Sequence, residues 1–569
     1  MTAAPADATT QGPTATGTFT VLAADKLADE GLEWLESQPD CRVLNKPGLS
    51  EAEYGAMLAE GGIHAMIVRS GIKVTAEVLR EPRDLRIVAR AGVGVDNIDL
   101  AAATDKGILV VNTAEASTVT TAEHAFTLLC AMARQVGPAY KTMAEGGWDR
   151  SKFKGRQLAG KTLGVVGFGR IGQTLAKRAL AFDMDVLAYD PFIAAETMLD
   201  GKVKMYRDFE DILPHCDVLS FHVPLNDQTR GMLNKDTFAK CRKGVMVVNA
   251  SRGGVVDEQD LLAALDDGAC GGAALDVFSE EPPPEDSPLR RHPKLLVTPH
   301  LGASTVEAQQ AVSVDAGMAC LAYLRGEGIK GAVNAGDLRV DLDEMQHCYA
   351  DLAGRMATIL DPMITRGIAE IRIEVTGKAL QAAASTIERH AVMNLLKGHL
   401  DVPVNVINVN QVAQDRGIHV RTTQVDQDAG MATELSIEVV GPKSAVDADT
   451  PPPDRSRRIV GRVYDDLQPR IVEVNGYHMD MVPEGDMLLL QNEDKPGMIG
   501  LVGSEFGSAE VNIADMSISR RRDIGDVYTA LMVLKIDAPA PDDLLARLRA
   551  RPGILKVATI KLPAAPQTT

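Results

Sequence analysis

Short apolar runs separated by stretches with helical spacing set the pattern of this chain. From Phe19 onward the runs TFTVLAA, HAMIVRS, DLRIVARAG and GILVVN read as buried strands. Strands alternating with helical segments predict a parallel sheet covered on both faces. A helical stretch from Thr121 (TAEHAFTLLCAMARQ) leads into a second series beginning at Lys161, with strand candidates TLGVVGFG, MDVLAYD, DVLSFHVP, VMVVNAS, GGAALDV and LLVTPH. Six such strands in this span predict one doubly wound sheet. The stretch STVEAQQAVSVDAGMACLAYLRG is helical again and closes this part near Asn334.

The pattern then changes. Region 337–480 combines a helix (DEMQHCYADLAGRMATIL), an alternating strand (IAEIRIEVTG), a helix from Ala379 to Leu400 and a second alternating strand (TELSIEVVG). A Pro- and charge-rich stretch, Pro442 to Arg458, reads as a solvated excursion before a hairpin-like pair ending in VEVNGYHMDM. This is an α+β module without a catalytic constellation. Region 485–562 runs MLLLQN, a helix from Pro496, VNIADMSIS, VYTALMVLKI, the helix PDDLLARLRA and ILKVATIKL. That βαββαβ order predicts a ferredoxin-like sandwich. Residues 1–19, mostly Ala, Thr, Gly and Pro without an apolar segment, read as a disordered tail.

Composition narrows the function classes. The 569 residues fit three to five domains at roughly 100–200 residues each. A net charge of −19 argues against a sequence-independent nucleic-acid binder, and an anionic substrate would need a local arginine cluster. No apolar run of about 18 residues is present, so no membrane span is expected. The seven cysteines are scattered without CxxC spacing, which suits reduced thiols in a cytoplasm and argues against a zinc knot or a disulfide framework. No metal is expected.

The strand TLGVVGFG runs directly into Gly167-Phe168-Gly169-Arg170-Ile171-Gly172 and a helical pattern. A lone GxGxxG is a weak signal, but strand, glycines and helix stand here in the order a dinucleotide site requires. Gly167 allows the tight turn, Gly169 lets a pyrophosphate approach the backbone, and Gly172 lets helix and strand pack closely. The helix N-terminus offers N–H groups to the phosphates. Asp190 ends the next strand, where a carboxylate holds both ribose hydroxyls and repels a 2′-phosphate; this favours NAD over NADP. Asp190 could instead open the turn before Pro191.

Three charged residues follow strand candidates of the same sheet: Arg252 after VMVVNAS, Glu281 beyond ALDVF and His300 after LLVTP. Singly, each has a bland explanation as a loop or solvated residue. Together they suit hydride transfer from a 2-hydroxy acid to a nicotinamide. A neutral His300 would take the hydroxyl proton, Glu281 would fix the imidazole tautomer and raise its pKa, and Arg252 would grip the carboxylate.

The segments GFGRIGQ, NASRGGVVDE, ALDVFSEEP and TPHLGAST, in this order, resemble the signatures of the D-isomer-specific 2-hydroxyacid dehydrogenase family. VRSGIKVT, ARAGVGVDNID and NEDKPGMIGLVG…VNIADM narrow the resemblance to its long-form branch, which carries an intervening domain and an ACT domain. The resemblance spans roughly residues 20–562. It implies a two-lobed Rossmann-like α/β dehydrogenase with an inserted NAD domain, then an α+β intervening domain and a ferredoxin-like ACT regulatory domain. The implied division is 20–115 with 301–334 for substrate, 116–300 for NAD, 337–480 intervening and 485–562 ACT.

The branch implies NAD-dependent oxidation of 3-phospho-D-glycerate to 3-phosphohydroxypyruvate, the first step toward L-serine, in a cytoplasmic homotetramer. The family's catalytic arginine, glutamate and histidine fall on Arg252, Glu281 and His300. Its cofactor contacts fall on Val93, Arg170, Ile171, Asp190, Val223, Ala250, Asp276 and the stretch His300, Leu301, Gly302 and Ala303. A phosphorylated substrate demands extra positive charge in the cleft, for which Arg69 and Ser70 are the candidates, with backbone N–H groups at Val93 and Gly94 for the carboxylate; Arg69 could equally be a surface residue. In the last module Asn492, Asp494 and Asn512 are expected to meet a small zwitterion, which the resemblance makes L-serine bound between paired domains; Asn492 and Asp494 could instead cap the following helix. Oxidation of another D-2-hydroxy acid, reduction of 2-oxoglutarate and a non-catalytic NAD sensor are the competing functions.

Overall fold

The computed structural model of the chain describes residues 18–335, 338–339, 342–364, 367–397, 399–400, 404–426, 433–442, 456–522 and 528–564. The expected tail lies outside the described residues up to position 17, and so does the body of the Pro442–Arg458 excursion, 443–455. The described residues form four sheets.

The first is five-stranded and all parallel, in the order Cys41–Asn45, Phe19–Ala23, Ala65–Val68, Ile87–Arg90 and Leu109–Asn112. FTVLA and AMIV are buried at every position, as strands covered on both faces must be. The helix Val306–Arg325 returns to this sheet, and its Val312, Ala316, Cys320 and Leu324 share a core with Val21, Ile67, Ala89 and Val111. It crosses the helix Asp29–Glu36 at Gly31, where an added Cβ would lie 2.6 Å from the Ser313 Cβ.

The second sheet has eight strands, ordered Leu295–Val297, Cys270–Leu275, Val245–Asn249, Val218–Phe221, Thr162–Val166, Asp185–Tyr189, Val203–Tyr206 and Thr197–Met198. All neighbours are parallel except the last pair. The six expected strands are present, and VKMY with its short antiparallel partner extends the edge. Chain direction along the sheet reverses between Thr162–Val166 and Val218–Phe221, so the glycine turn sits at the topological switch point, where such sheets bind ligands.

The third sheet has six strands, ordered His419–Val425, Glu370–Thr376, Glu434–Val440, Ser456–Val463, Pro469–Val474 and Tyr477–Met481. His419–Val425, a polar edge strand, is additional to the sequence reading. The fourth sheet, Ile513–Arg522, Tyr528–Ile536, Gly485–Glu493 and Ile554–Leu562, is antiparallel with helices Met498–Ser508 and Asp542–Ala550 packed on it. This is the ferredoxin-like order.

The last two sheets do not have separate cores. Met487, Leu489, Leu531, Val533 and Ile560, on the face of the fourth sheet away from its helices, share a core with Leu352 and Met356 of the helix Glu344–Leu360 and with Ile459 and Ile471 of the third sheet. Arg355, buried on the helix Glu344–Leu360, ties the two together. Its Nε donates to Asp351 at 2.5 Å, and its terminal nitrogens donate to the carbonyls of Pro483, Pro563 and Ala564 at 2.7–2.9 Å. On the other side, Asn405 Nδ2 donates to the Gly107 carbonyl at 2.8 Å, and Ile407 enters the core of the first sheet. Among the described residues no helix is long and apolar enough to cross a membrane.

Candidate active site

The glycine turn is shaped by what its residues lack. Gly167 has φ +91°, and a Cβ there would lie 2.5 Å from the His222 carbonyl and 2.8 Å from Val223 Cγ1. A Cβ on Gly172 would overlap the Gly167 carbonyl, whereas one on Gly169 would meet nothing within 4 Å. Two glycines therefore serve packing and the third leaves an open face. No side chain caps the helix Arg170–Ala181, so its first N–H groups remain for a ligand. Asp190 does open the turn: Oδ1 accepts from Phe192 N at 3.0 Å, and Oδ2 accepts from Phe168 N at 2.9 Å. A carboxylate has further lone pairs, so these bonds hold Asp190 at the mouth of the turn without exhausting it. Arg170 reaches out to Glu115 at 2.7 Å, and Ile171 packs against the core beneath. Val223 and the buried Ala250 follow adjacent strands at the same sheet end. The open cradle, free helix N-terminus and strand-end carboxylate fit NAD.

His300 and Glu281 are brought together, with Nδ1 2.7 Å from Oε2. Glu281 is held in turn, its Oε1 accepting from Phe278 N at 3.0 Å. The Glu281 hydrogen bond raises the His300 pKa above its ordinary value against the effect of burial; the Asp276 charge adds to the rise and Arg252 opposes it. Burial acts to raise the Glu281 pKa, but the bonds from His300 and Phe278 outweigh it and hold the carboxyl below its usual range. With an ionised carboxylate on Nδ1, the neutral imidazole carries its proton there and presents a basic Nε2. The His300 side chain is 51% exposed, open to an incoming molecule. A cavity of about 620 Å³ opens beside the pair, walled by Phe278, Pro282, Val297 and Pro299.

Arg252 bridges the two lobes. Its Nε donates to Asp96 at 3.0 Å and Nη1 to the Ser251 carbonyl at 2.6 Å, while Nη2 lies where a Cβ on Gly94 would be. The Gly92–Gly94 loop beneath it is fixed by Asn112, which donates to the Val93 carbonyl at 2.7 Å, and by Thr113, which accepts from Gly92 N at 2.8 Å. Arg69 is anchored by Asp25 at its backbone N–H and by the Lys26 carbonyl at its guanidinium, with Ser70 exposed beside it.

Sequence reasoning passed over a third arginine. Arg90 ends the strand next to the one leading into Arg69, in register with Val68, and its guanidinium fills the space a Cβ on Gly92 would need. Burial, then Arg69 and Arg252, lower its pKa to about 10. Its buried Nε has no hydrogen-bond partner among the described residues. Arg69, Arg90 and Arg252 against Asp25 and Asp96 leave this end of the cleft positive within an acidic protein.

Asp276 does not face the cleft. It is fully buried, and its carboxylate accepts from Thr298 Oγ1, Leu301 N and Gly302 N at 2.6–2.8 Å. It holds the loop carrying His300 and the exposed Leu301 rather than offering its own side chain outward. Ala303 lies in the same loop, its carbonyl accepting from Gln309.

In the fourth sheet the three expected polar residues do not converge within one chain. Asn492 pairs with Ala530, whereas Asn512 precedes Ile513, which pairs with Ile536 at the other end of that strand, roughly 20 Å away by strand rise. Asp494 ion-pairs with Arg520 at 3.3 Å, and Asn512 donates to Asp537 at 2.7 Å. Neither Asn492 nor Asp494 caps the helix Met498–Ser508. The Asn492 side-chain oxygen is buried without a hydrogen-bond partner among the described residues.

Comparison with known proteins agrees with this geometry. Residues 126–302 match the NAD-binding domain of D-isomer-specific 2-hydroxyacid dehydrogenases, 345–475 the D-3-phosphoglycerate dehydrogenase intervening domain, and 487–553 the ACT domain. Among solved structures, the TT0316 protein from Thermus thermophilus superposes with a TM-score of 0.50 at 33% identity, covering 55% of this chain and 100% of its own. A glyoxylate reductase from Paecilomyes thermophila gives 0.51 at 27%, covering 56% and 99%. The D-3-phosphoglycerate dehydrogenase of Bacillus subtilis is 36% identical over 549 residues, 96% of this chain and 100% of that protein. That of Archaeoglobus fulgidus is 35% identical over 543 residues, 95% and 100%. With both lobes, the intervening module and the ACT module matched along almost its whole length, the chain belongs to the D-3-phosphoglycerate dehydrogenase family.

Proposed function

We propose that the protein oxidises 3-phospho-D-glycerate to 3-phosphohydroxypyruvate with NAD, the first step toward L-serine. The observation that carries this reading is the His300–Glu281 pair at 2.7 Å, set near Arg252 and the arginine-lined loop of the opposite lobe. NAD, when bound at Gly167–Gly172 and Asp190, supplies the hydride acceptor. His300 Nε2 takes the substrate hydroxyl proton as the carbonyl forms. Glu281 holds the imidazole in the tautomer that can accept it. Arg252, its fork fixed by Asp96 and Ser251, grips the substrate carboxylate together with the Val93–Gly94 backbone. Arg69 and Ser70, reinforced by Arg90, take the phosphate. Asp276, buried as it is, acts on the cofactor through Leu301, Gly302 and Ala303, which it positions.

The same reading assigns substrate binding to 20–115 with 301–334, NAD binding to 116–300, the intervening module to 337–480 and the ACT module to 485–562. L-serine is the proposed effector. With Asn512 far from Asn492 and Asp494 in one chain, the site requires a second copy, which accords with a homotetramer. Seven free cysteines accord with a cytoplasmic location.

Arg69→Gln tests the substrate assignment. Its KM for 3-phosphoglycerate should rise roughly tenfold or more while oxidation of 2-hydroxyglutarate stays within about twofold. Equal losses on both substrates would refute the phosphate role, and wild-type activity confined to 2-hydroxyglutarate would refute the substrate.

A further inference from the structure

The loop that carries His300 hangs from one carboxylate. Asp276 Oδ1 accepts from Thr298 Oγ1 at 2.6 Å and Leu301 N at 2.8 Å, Oδ2 accepts from Gly302 N at 2.8 Å, and the Asp276 carbonyl accepts from His300 N at 2.9 Å. Between these anchors His300 has φ +53°, a left-handed conformation that a side chain with a Cβ adopts only when its surroundings enforce it.

One more donor comes from a different element. The helix Thr118–Ala133 lies along this loop: Thr120 Oγ1 is 3.3 Å from Thr305 Oγ1, and a Cβ on Gly302 would lie 3.4 Å from Thr121 Cγ2. One turn on, His124 Nε2 is 3.1 Å from Asp276 Oδ1 and 3.3 Å from Thr298 Oγ1. The Thr298 hydroxyl spends its proton on Asp276, and both oxygens facing His124 can only accept, so Nε2 must carry the hydrogen.

We propose that His124 is a positioning residue for the reaction, completing through Nε2–H the buried anchor that fixes the His300 loop; this rests on His300 being the proton acceptor. Burial would push the Asp276 carboxyl toward its neutral form, and the bonds from His124, Thr298 and Leu301 hold it below its usual range. Without the His124 donor, a buried carboxylate is left under-satisfied at the point where the loop is strained. The loop then relaxes, and the His300–Glu281 geometry relaxes with it.

The test is steady-state kinetics of His124→Leu and His124→Gln in the full-length protein, with His300→Ala alongside. His124→Leu removes the donor and keeps apolar bulk; its kcat should fall about tenfold while KM for 3-phosphoglycerate stays within about twofold. Its acid limb in kcat/KM should move to lower pH, because a looser Glu281 raises His300 less; of the other charged neighbours of His300, Arg252 is unchanged, and Asp276, which loses the His124 donor, can only add less to the rise. His124→Gln, which keeps an N–H, should hold kcat within about threefold of wild type. If His124→Leu does not fold, His124→Phe, a ring without a donor, is expected to show the same loss. Wild-type kinetics in the donor-less variants would overturn the proposal, and so would a glutamine variant as impaired as they are. An active His300→Ala would overturn the role of His300 and this inference with it. An inactive His300→Ala beside a normal His124→Leu would overturn only the part given to His124.

Discussion

His300 is useful as a base only while neutral, and its neighbours decide the pH at which that holds. The Glu281 bond raises its pKa above the ordinary value of about 6.5. The protonated imidazole cannot accept the substrate proton, so the rate of hydroxy-acid oxidation should fall as pH drops through that raised value, placing the acid limb of kcat/KM above pH 6.5. Glu281→Gln removes the charge that raises it. The limb should then move to lower pH, and kcat should fall at least about tenfold as the tautomer and ring orientation loosen. A pH–rate profile checks both, and an unmoved limb would assign the titration to another group. At this scale Arg252, Glu281 and His300 were legible because each follows an apolar strand, where α/β sheets place chemistry. Arg90 was not, because IVAR reads as the end of a strand, and only the parallel register with Val68 shows that it stands beside Arg69. His124 was not legible either, since a histidine inside an apolar helix looks like an ordinary core residue until the loop packed against it is known.

Elements were legible in proportion to their burial. Phe19–Ala23, Ala65–Val68 and Val245–Asn249 are buried throughout and stand out as apolar runs. The strands that escaped notice lie at or beside sheet edges: Cys41–Asn45 and His419–Val425 are edge strands with no fully buried position, and Val203–Tyr206, next to the short edge strand Thr197–Met198, alternates a lysine into four residues. An edge strand gains its stability from one neighbour's backbone and leaves little hydrophobic trace. The ACT strands show the reverse case, an order read correctly whose ligand geometry the sequence could not supply. Asn492 closes one strand and Asn512 opens another; both strands pair antiparallel with Tyr528–Ile536 and so run parallel to each other, which puts an end and a start at opposite edges of the sheet. If serine is bound across two copies, millimolar L-serine should lower activity of the wild type, and Asn512→Ala should abolish that response with basal turnover intact. Inhibition that survives in Asn512→Ala, measured by the same rate assay, would place the effector elsewhere.

At the scale of the whole molecule, the intervening and ACT modules behave as one packed body. The sheet face opposite the ACT helices shares one core with the helix Glu344–Leu360 and the third sheet, and Arg355 on that helix closes the seam with three carbonyl bonds. That body touches the first lobe through Asn405 and Ile407, on the sheet whose last strand, Leu109–Asn112, ends in the residue that holds Val93. The contiguity was not legible in the sequence, where the regions differ in style and read as separate units; a shared core appears only once the helix Glu344–Leu360 is placed between them. It offers a physical connection between the ACT module and the proposed substrate site, while the proposed chemistry itself rests on the inter-lobe cleft.

The measurement that bears most directly on that chemistry is NADH formation from 3-phosphoglycerate and NAD near pH 9, for wild type and His300→Ala, with NADH binding followed by fluorescence as a control for the fold. The wild type should form NADH; His300→Ala should lose at least about a hundredfold in kcat while still binding NADH. A His300→Ala variant that turns over at the wild-type rate, or a wild type that binds NADH and leaves 3-phosphoglycerate untouched in both directions, would contradict the account.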